Sequence, residues 1–212
     1  NNKLTDDMVH VVYSDVSFKN TTFENSFSDA IDSDISNILI DNCTFENSGN
    51  DAVDLMTSNA VVINSTISSS ADKGISVGEA SKLLAVNNYF DRNTIGIQSK
   101  DESIAYVYNT SFSENESAVD AYHKNWRYQK GGMVFLDKCV LRKNKNNATV
   151  DKKSSIIIND CDIDDANNFK GKSLESGKII VSHEGFIEPD FSDLFFERGR
   201  LIINRNVKGY FE

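Results

Sequence analysis

Hydrophobic and polar positions along this chain recur with a constant spacing of 22 residues. In each unit a small residue is followed by an apolar residue and then by a polar one, which is the alternation of a half-buried β-strand. Internal similarity at such a fixed period is typical of a repeat architecture. The sequence therefore predicts one short strand at the same place in every repeat. The five clearest units are 29–32, 51–54, 73–76, 95–98 and 117–120, with the apolar residues Ile31, Val53, Ile75, Ile97 and Val119.

Each repeat also contains the pattern of two further strands. An apolar residue that serves as a register mark is preceded, five and seven residues earlier, by two more apolar residues. In four repeats an asparagine stands three residues before the mark, and asparagine tolerates the left-handed backbone conformation of a tight bend. We therefore predict three strands and a bend lined by asparagine in every coil. The marks are Phe45, Ile67, Phe90, Phe112, Leu141 and Ile163, and the asparagines are Asn42, Asn64, Asn87 and Asn109.

In these repeats the sequence resembles the right-handed parallel β-helix family, over residues 13–166. The resemblance implies an all-β fold, a right-handed parallel β-helix (solenoid) with about six coils of 22 residues and terminal caps. It is similar to the pectate-lyase-like modules of secreted bacterial proteins, which implies a secreted or cell-surface location. The expected organisation is an N-terminal cap or first strand at residues 1–15, coils at 16–166, and a C-terminal cap at 167–212, where the period is lost. The alternative for the last segment is the beginning of a further domain.

Composition narrows the choice of partner. The chain has 212 residues, a net charge of −10 and a pI near 4.8. Binding to nucleic acid requires clustered lysine and arginine, so this acidic chain is not expected to bind it. No run of about 18 apolar residues is present, so no membrane span is predicted. The histidines, His10, His123 and His183, are scattered and show no metal-ligand spacing. An acidic surface suits either a cation or a neutral glycan.

The residue after each inward-facing apolar position is expected to point outward, which creates a polar column along the first strand of the coils. Asp32 and Asp54 are neighbours in this column. Two carboxylates that lie close together either raise one pKa or bind a hard cation, so Asp32 and Asp54 are the candidate ligands of Ca²⁺, the only cofactor that the residues suggest. The column consists of Asp32, Asp54, Ser76, Gln98 and Asp120.

The same column supplies candidate catalytic residues. Glycoside hydrolysis requires a pair of carboxylates, for which Asp32, Asp54 and Asp120 are the candidates. Lys73 and Lys100, at the two ends of the outward strip, are candidate bases of a lyase. Two alternatives remain: the lysines are simple ion-pair partners, and the acidic column is a solvated face. The outward column contains no arginine, the base that lyases of the family often keep there, which weighs against catalysis.

One repeat is longer than the others. The spacing between Ser117 and Asn147 is 30 residues, which predicts an insertion of about eight residues within 122–132. The segment contains the only tryptophan, and aromatic rings stack on sugars whereas arginine pairs with carboxylates of uronic acids. A protruding loop is a common place for function; the alternative is that Trp126 covers a hydrophobic seam. The predicted substrate-binding residues are Ser76, Gln98, Tyr122, Trp126, Arg127 and Tyr128.

These patterns lead to two functional hypotheses of different classes. The first is an extracytoplasmic domain that binds a polysaccharide or cell-surface glycan, with cleavage by lyase or hydrolase chemistry as an extension. The second is a non-catalytic structural or adhesive module that lies beside another domain. Binding of a glycan on the outward strip next to the 122–132 loop separates the first hypothesis from the second.

Overall fold

A computed structural model describes residues 6–151, 153–165, 169–171, 177–182, 195–197 and 200–202. Within these residues the secondary structure consists of strands. Three parallel sheets each contain every third strand, in the order of the sequence. The first sheet contains β1 (Val9–Val12), β4 (Ile31–Asp34), β7 (Val53–Met56), β10 (Lys73–Gly78), β13 (Ile95–Lys100), β16 (Ser117–Tyr122), β19 (Asn146–Val150) and β22 (Phe169–Gly171).

The other two sheets follow the same order. The second sheet contains β2 (Asp15–Lys19), β5 (Asn37–Asp41), β8 (Asn59–Ile63), β11 (Lys82–Val86), β14 (Ile104–Tyr108), β17 (Met133–Asp137), β20 (Ser155–Asn159) and β23 (Lys178–Ser182). The third contains β3 (Thr22–Glu24), β6 (Thr44–Glu46), β9 (Thr66–Ser68), β12 (Tyr89–Asp91), β15 (Ser111–Ser113), β18 (Val140–Arg142) and β21 (Asp162–Ile163). In a separate two-stranded sheet, β24 (Phe195–Glu197) pairs antiparallel with β25 (Arg200–Ile202).

The fold is the predicted right-handed parallel β-helix, and its described residues form seven complete three-strand coils rather than about six. The additional coil begins at β1, because residues 9–12 pair with β4 as a first strand. At the other end β22 and β23 pair with β19 and β20, so the coils continue beyond residue 166. Most of the rest of the predicted C-terminal cap, at 167–212, lies outside the described residues.

The core is built from stacked side chains of the same position in successive coils. The predicted stack in the first sheet is confirmed, because its members are direct partners across the parallel strands and are fully buried. In the third sheet Phe23 stacks on Phe45, with ring centroids 4.7 Å apart, and Phe90 on Phe112 at 5.0 Å. The first-sheet stack consists of Ile31, Val53, Ile75, Ile97 and Val119.

The bends contain columns of asparagine, and the sequence predicted one of them. The predicted asparagines have left-handed φ angles of 42° to 56°. Asn109 Nδ2 donates a hydrogen bond to Asn87 Oδ1 at 2.7 Å, but this column is exposed at the surface. A second column, Asn93, Asn115 and Asn144, is buried before the first sheet. There each amide Nδ2 donates to the next Oδ1 at 3.0 Å, so the buried column joins successive coils through polar groups.

The insertion lies where the sequence predicted it, with a spacing of 29 residues instead of 30, because Ser117 pairs with Asn146. It forms the bend between β16 and β17, at residues 123–132. The corresponding bends of the earlier coils contain two or three residues, at 13–14, 35–36, 57–58, 79–81 and 101–103. The ten-residue segment, called the 123–132 loop below, therefore extends from the bend at the edge of the first sheet.

Candidate functional site

The outer face of the first sheet contains the predicted polar column. Strand pairing aligns its residues in register from one coil to the next. The column begins one coil earlier than predicted, because His10 is the partner of Asp32. Asp32 and Asp54 are half-buried, whereas Ser76, Gln98 and Asp120 are buried. The column therefore has the predicted register, but its last three side chains are covered by their neighbours.

Hydrogen bonds within the column explain this burial. The Gln98 Nε2 atom donates to the Asp120 carboxylate at 2.7 Å, so these two side chains pair with each other. The Lys100 side chain extends over the neighbouring strand β10, where its Nζ donates to the Ser76 hydroxyl at 2.8 Å. Gly78 makes room for it, since a Cβ there would lie 2.6 Å from the Cε of Lys100. Among Ser76, Gln98, Lys100 and Asp120, Lys100 is the residue that lines the groove described below.

The 123–132 loop is fastened to the solenoid by two acidic residues of the preceding bend. Asp101, which is 1% exposed, accepts hydrogen bonds at Oδ1 from the backbone N–H groups of Lys124 and Asn125, both at 2.8 Å. Glu102 Oε1 accepts from the N–H groups of Gln129 at 2.8 Å and Lys130 at 3.3 Å. Hydrogen bonds to a carboxylate are stronger than neutral ones. The loop is therefore held in a defined position.

A groove of about 340 Å³ lies between this loop and the first sheet. Trp126 forms one edge of it and is 84% exposed. The alternative that Trp126 covers a hydrophobic seam is therefore wrong. The groove combines an indole, carboxylates, ammonium groups and an amide, the mixture that can contact both faces and hydroxyls of a sugar. Its polar and aromatic lining residues are Asp54, Glu79, Lys100, Asp101, Lys124, Asn125 and Trp126.

The remaining predicted substrate-binding residues do not line the groove. Tyr122 and Tyr128 are half-buried, and the Nε2 atom of His123 lies 2.9 Å from the Tyr128 carbonyl oxygen within the loop. Arg127 is exposed beside Trp126, and its backbone N–H donates to the Asn125 side chain at 3.1 Å. These residues shape or border the loop, while Trp126 alone among the predicted loop residues reaches the groove.

The five candidate catalytic residues are not brought together. Asp54 and Lys100 line the groove, whereas Asp120 is paired with Gln98 and Asp32 lies one coil away beside His10. Lys73 is at the opposite end of β10 from Gly78. Since a carboxylate pair must flank one glycosidic bond, the hydrolase candidates as a set of three have no common site.

Lys73 belongs to a structural cluster. Its Nζ lies 3.4 Å from Asp51 Oδ1 and also pairs with Asp72. Burial raises the pKa of Asp51 to about 7, against the opposing effect of Lys73. Burial lowers the pKa of Lys73, but Asp51 and Asp72 outweigh this effect, so its pKa lies above the ordinary value. A protonated, paired lysine is a poor base, which supports the ion-pair alternative for this residue.

Three residues of these sites were not among the predicted site residues: Glu79, Asp101 and His10. Glu79 and Asp101 stand at the end of a first-sheet strand, and only the position of the loop shows that one lines the groove and the other fastens the loop. His10 could have been found because it precedes Asp32 by the repeat length of 22 residues. Its Nε2 lies 3.3 Å from Asp32 Oδ2 and 3.0 Å from Asp34 Oδ2.

The sequence profile described as "Right handed beta helix region" matches residues 7–163. The chain belongs to the right-handed β-helix family. A search of curated protein sequences finds no match to this β-helix. In the part of the β-helix that the structure describes, no helix has the length and apolar character needed to span a membrane.

Among solved structures, this β-helix is similar to the catalytic unit of the thermostable GH87 α-1,3-glucanase from Streptomyces thermodiastaticus strain HF3-3. The TM-score is 0.52 at 12% identity, over 81% of this chain and 43% of that chain. It is also similar to the surface protein and adhesin PfbA of Streptococcus pneumoniae, with a TM-score of 0.42 at 12% identity, over 81% of this chain and 68% of that chain. At 12% identity the likeness to the glucanase shows the fold alone, on which many functions occur.

Proposed function

We propose that this β-helix binds a polysaccharide in the groove between the first sheet and the 123–132 loop. The observation that carries the proposal is Trp126, which is held 84% exposed at the edge of a groove that also contains carboxylates and ammonium groups. Leaving a large aromatic side chain in water has a free-energy cost that a bound sugar ring would remove.

The position of Trp126 is fixed before a ligand arrives. Asp101 holds the backbone of Lys124 and Asn125, the two residues that precede Trp126. Binding to a preorganised loop loses less conformational entropy than binding to a mobile one. A sugar that stacks on the indole would place its hydroxyl groups toward Asp54 and Glu79 as acceptors, and toward Lys100 and Lys124 as donors.

The proposal includes a secreted or cell-surface location, where a polysaccharide partner is met. The likeness to an α-1,3-glucanase supports a glycan as the ligand class, since that protein's name states its substrate. Cleavage is an extension of the proposal that depends on Asp54, Glu79 and Lys100, because Asp101 is committed to the loop. Binding of Ca²⁺ by Asp32 and Asp54 stays a prediction.

The experiment is isothermal titration calorimetry with α-1,3-glucan oligosaccharides and with oligogalacturonates, on the wild type and on Trp126→Ala. Truncating an aromatic anchor costs roughly 1 to 3 kcal/mol, so affinity should fall by about 5- to 150-fold. Tyr89→Ala is the matched control, because Tyr89 is an exposed aromatic on the third sheet, away from the groove. Equal affinities in the wild type and Trp126→Ala, or no binding of either glycan class, would contradict the proposal.

The same samples test cleavage. New reducing ends indicate a hydrolase, and absorbance of an unsaturated uronic acid product indicates a lyase. Either activity should disappear in Asp54→Asn if the groove is catalytic, while Tyr89→Ala keeps it. Binding without product formation would assign the groove to recognition alone, as in the adhesive alternative.

A further inference from the structure

A second cluster of chemically active side chains lies on the first sheet, apart from the groove. The pairing of β1 with β4 places His10 beside Asp32, and Asp34 follows on the same face of β4 because side chains alternate along a strand. The Nε2 atom of His10 is 3.3 Å from one Asp32 oxygen and 3.0 Å from one Asp34 oxygen. All three donor atoms lie within 4.8 Å of one another.

These separations suit ligands of a common metal ion. Nitrogen and oxygen ligands at about 2.0 Å from a tetrahedral Zn²⁺ are about 3.3 Å apart, close to the two His10 separations. The three residues belong to two adjacent hydrogen-bonded strands, so little rearrangement is needed. The His10 side chain is 49% exposed, so water can reach the site and complete the coordination shell.

The charge and the ligand types point to one class of ion. As metal ligands, two carboxylates and a deprotonated imidazole would carry two negative charges, and Asp7 and Asp54 add to the negative field at Asp32. A divalent cation would neutralise the two ligand carboxylates. Ca²⁺ and Mg²⁺ prefer shells made of oxygen only, whereas an imidazole nitrogen suits zinc and neighbouring transition metals.

We propose that His10, Asp32 and Asp34 form a binding site for a divalent transition-metal ion, with Zn²⁺ as its representative. This inference does not rest on the proposed glycan function. It shares Asp32 with the predicted Ca²⁺ pair of Asp32 and Asp54, and it differs from that pair because it includes a nitrogen ligand. The rival explanation of the same geometry is an ion pair between a protonated His10 and the two carboxylates, which needs no metal.

The site has a structural consequence. The ligands come from the first two coils, so the bound ion would link the strand at the N-terminal end of the first sheet to its neighbour. An ion that binds only the folded state raises its stability by mass action. The melting temperature therefore reports occupancy of the site without any assay of activity.

The experiment measures thermal unfolding of protein without a polyhistidine tag, first freed of metal by a chelator, with and without ZnCl₂, CoCl₂, CaCl₂ or MgCl₂. With Zn²⁺ about 100-fold above its dissociation constant, the melting temperature should rise by roughly 5 to 10 °C. His10→Asn and Asp34→Asn should abolish the rise. Asp41→Asn is the matched control, since Asp41 is an acidic residue of the second sheet whose carboxylate is paired with Lys19. This control should keep the full response.

Direct binding completes the test. Equilibrium dialysis should give one Zn²⁺ per chain, and Co²⁺ should produce visible ligand-field absorption that His10→Asn lacks. The circular dichroism of each metal-free variant checks that it is folded, as expected for a substitution at a half-exposed surface position. Absence of any Zn²⁺ response in the wild type would leave the ion pair and overturn the proposal. An equal response to Ca²⁺, or a Zn²⁺ response that survives His10→Asn, would also overturn it.

Discussion

The substitution Asp101→Gly should release the 123–132 loop without disturbing the solenoid. Asp101 has a φ of 53°, a left-handed conformation that glycine adopts without strain. The substitution therefore removes the carboxylate without straining the backbone. The carboxylate accepts two backbone hydrogen bonds at 2.8 Å and is 1% exposed. A hydrogen bond to a charged group contributes about 1.5 to 3 kcal/mol, and the two share one oxygen, so we expect a loss of about 3 kcal/mol in loop anchoring.

Hydrogen exchange of the backbone amides measures this loss. A decrease of about 3 kcal/mol corresponds to about a 150-fold loss of protection at Lys124 and Asn125. Glu102→Gly is the matched control, because Glu102 also has a left-handed φ, of 63°, and also accepts two loop N–H groups, but it is exposed. Its effect should be smaller and confined to Gln129 and Lys130. Unchanged exchange at Lys124 and Asn125 in Asp101→Gly would refute the reasoning that this buried carboxylate fixes the loop.

Three further predictions concern the solenoid itself. Val53→Asp should destabilise the protein by several kcal/mol in urea unfolding, because it places a charge in a fully buried stack; a loss below about 1 kcal/mol would mean that the position is not core. Asn115→Ala should lower the free energy of unfolding by more than Asn109→Ala, because the loss of the Asn115 side chain leaves buried backbone groups of Asn93 and Phe90 without this partner. For the exposed Asn109→Ala we expect a loss below about 1 kcal/mol. Equal losses in calorimetry would contradict the role of the buried column. The pKa of Asp51 is raised to about 7, which means that the folded state binds this proton more tightly than the unfolded state does. The stability that this group contributes is therefore present at low pH. It is lost as pH rises from about 4 to 7, by up to about 1.4 kcal/mol per pH unit. Asp51→Asn should flatten this part of the stability profile measured by urea unfolding, and an unchanged profile would contradict the assigned pKa.

The repeat in the sequence predicted the fold because side-chain alternation and a fixed coil length are local properties. Ile31 and Val53 are 22 residues apart and both apolar, and that alone places them as partners in the core. The coil number was lower than observed because residues 1–15 were expected to be a cap or first strand, whereas β1 pairs with β4 and opens a complete coil. The buried asparagine column was missed because Ser70 occupies the equivalent position one coil before Asn93.

The site was harder to predict because accessibility depends on which side chain covers which. Gln98 and Asp120 have the outward register expected of them, but they bury each other through a hydrogen bond that no periodic pattern encodes. The insertion predicted a loop with Trp126, whereas its anchoring by Asp101 and the exposure of Trp126 are visible only in the structure. A sequence pattern gives the direction of a side chain, whereas its partners come from the three-dimensional arrangement.

The central claim is that the groove beside Trp126 binds a glycan, and the fluorescence of Trp126 tests it most directly. Trp126 is the only tryptophan in the chain, so its emission reports on this groove alone. Titration with α-1,3-glucan oligosaccharides and with oligogalacturonates should give, for one class, a saturable shift of the emission to shorter wavelength, because stacking removes water from the indole. Emission that stays unchanged for both classes, at concentrations where calorimetry detects binding, would place the glycan elsewhere and contradict the account.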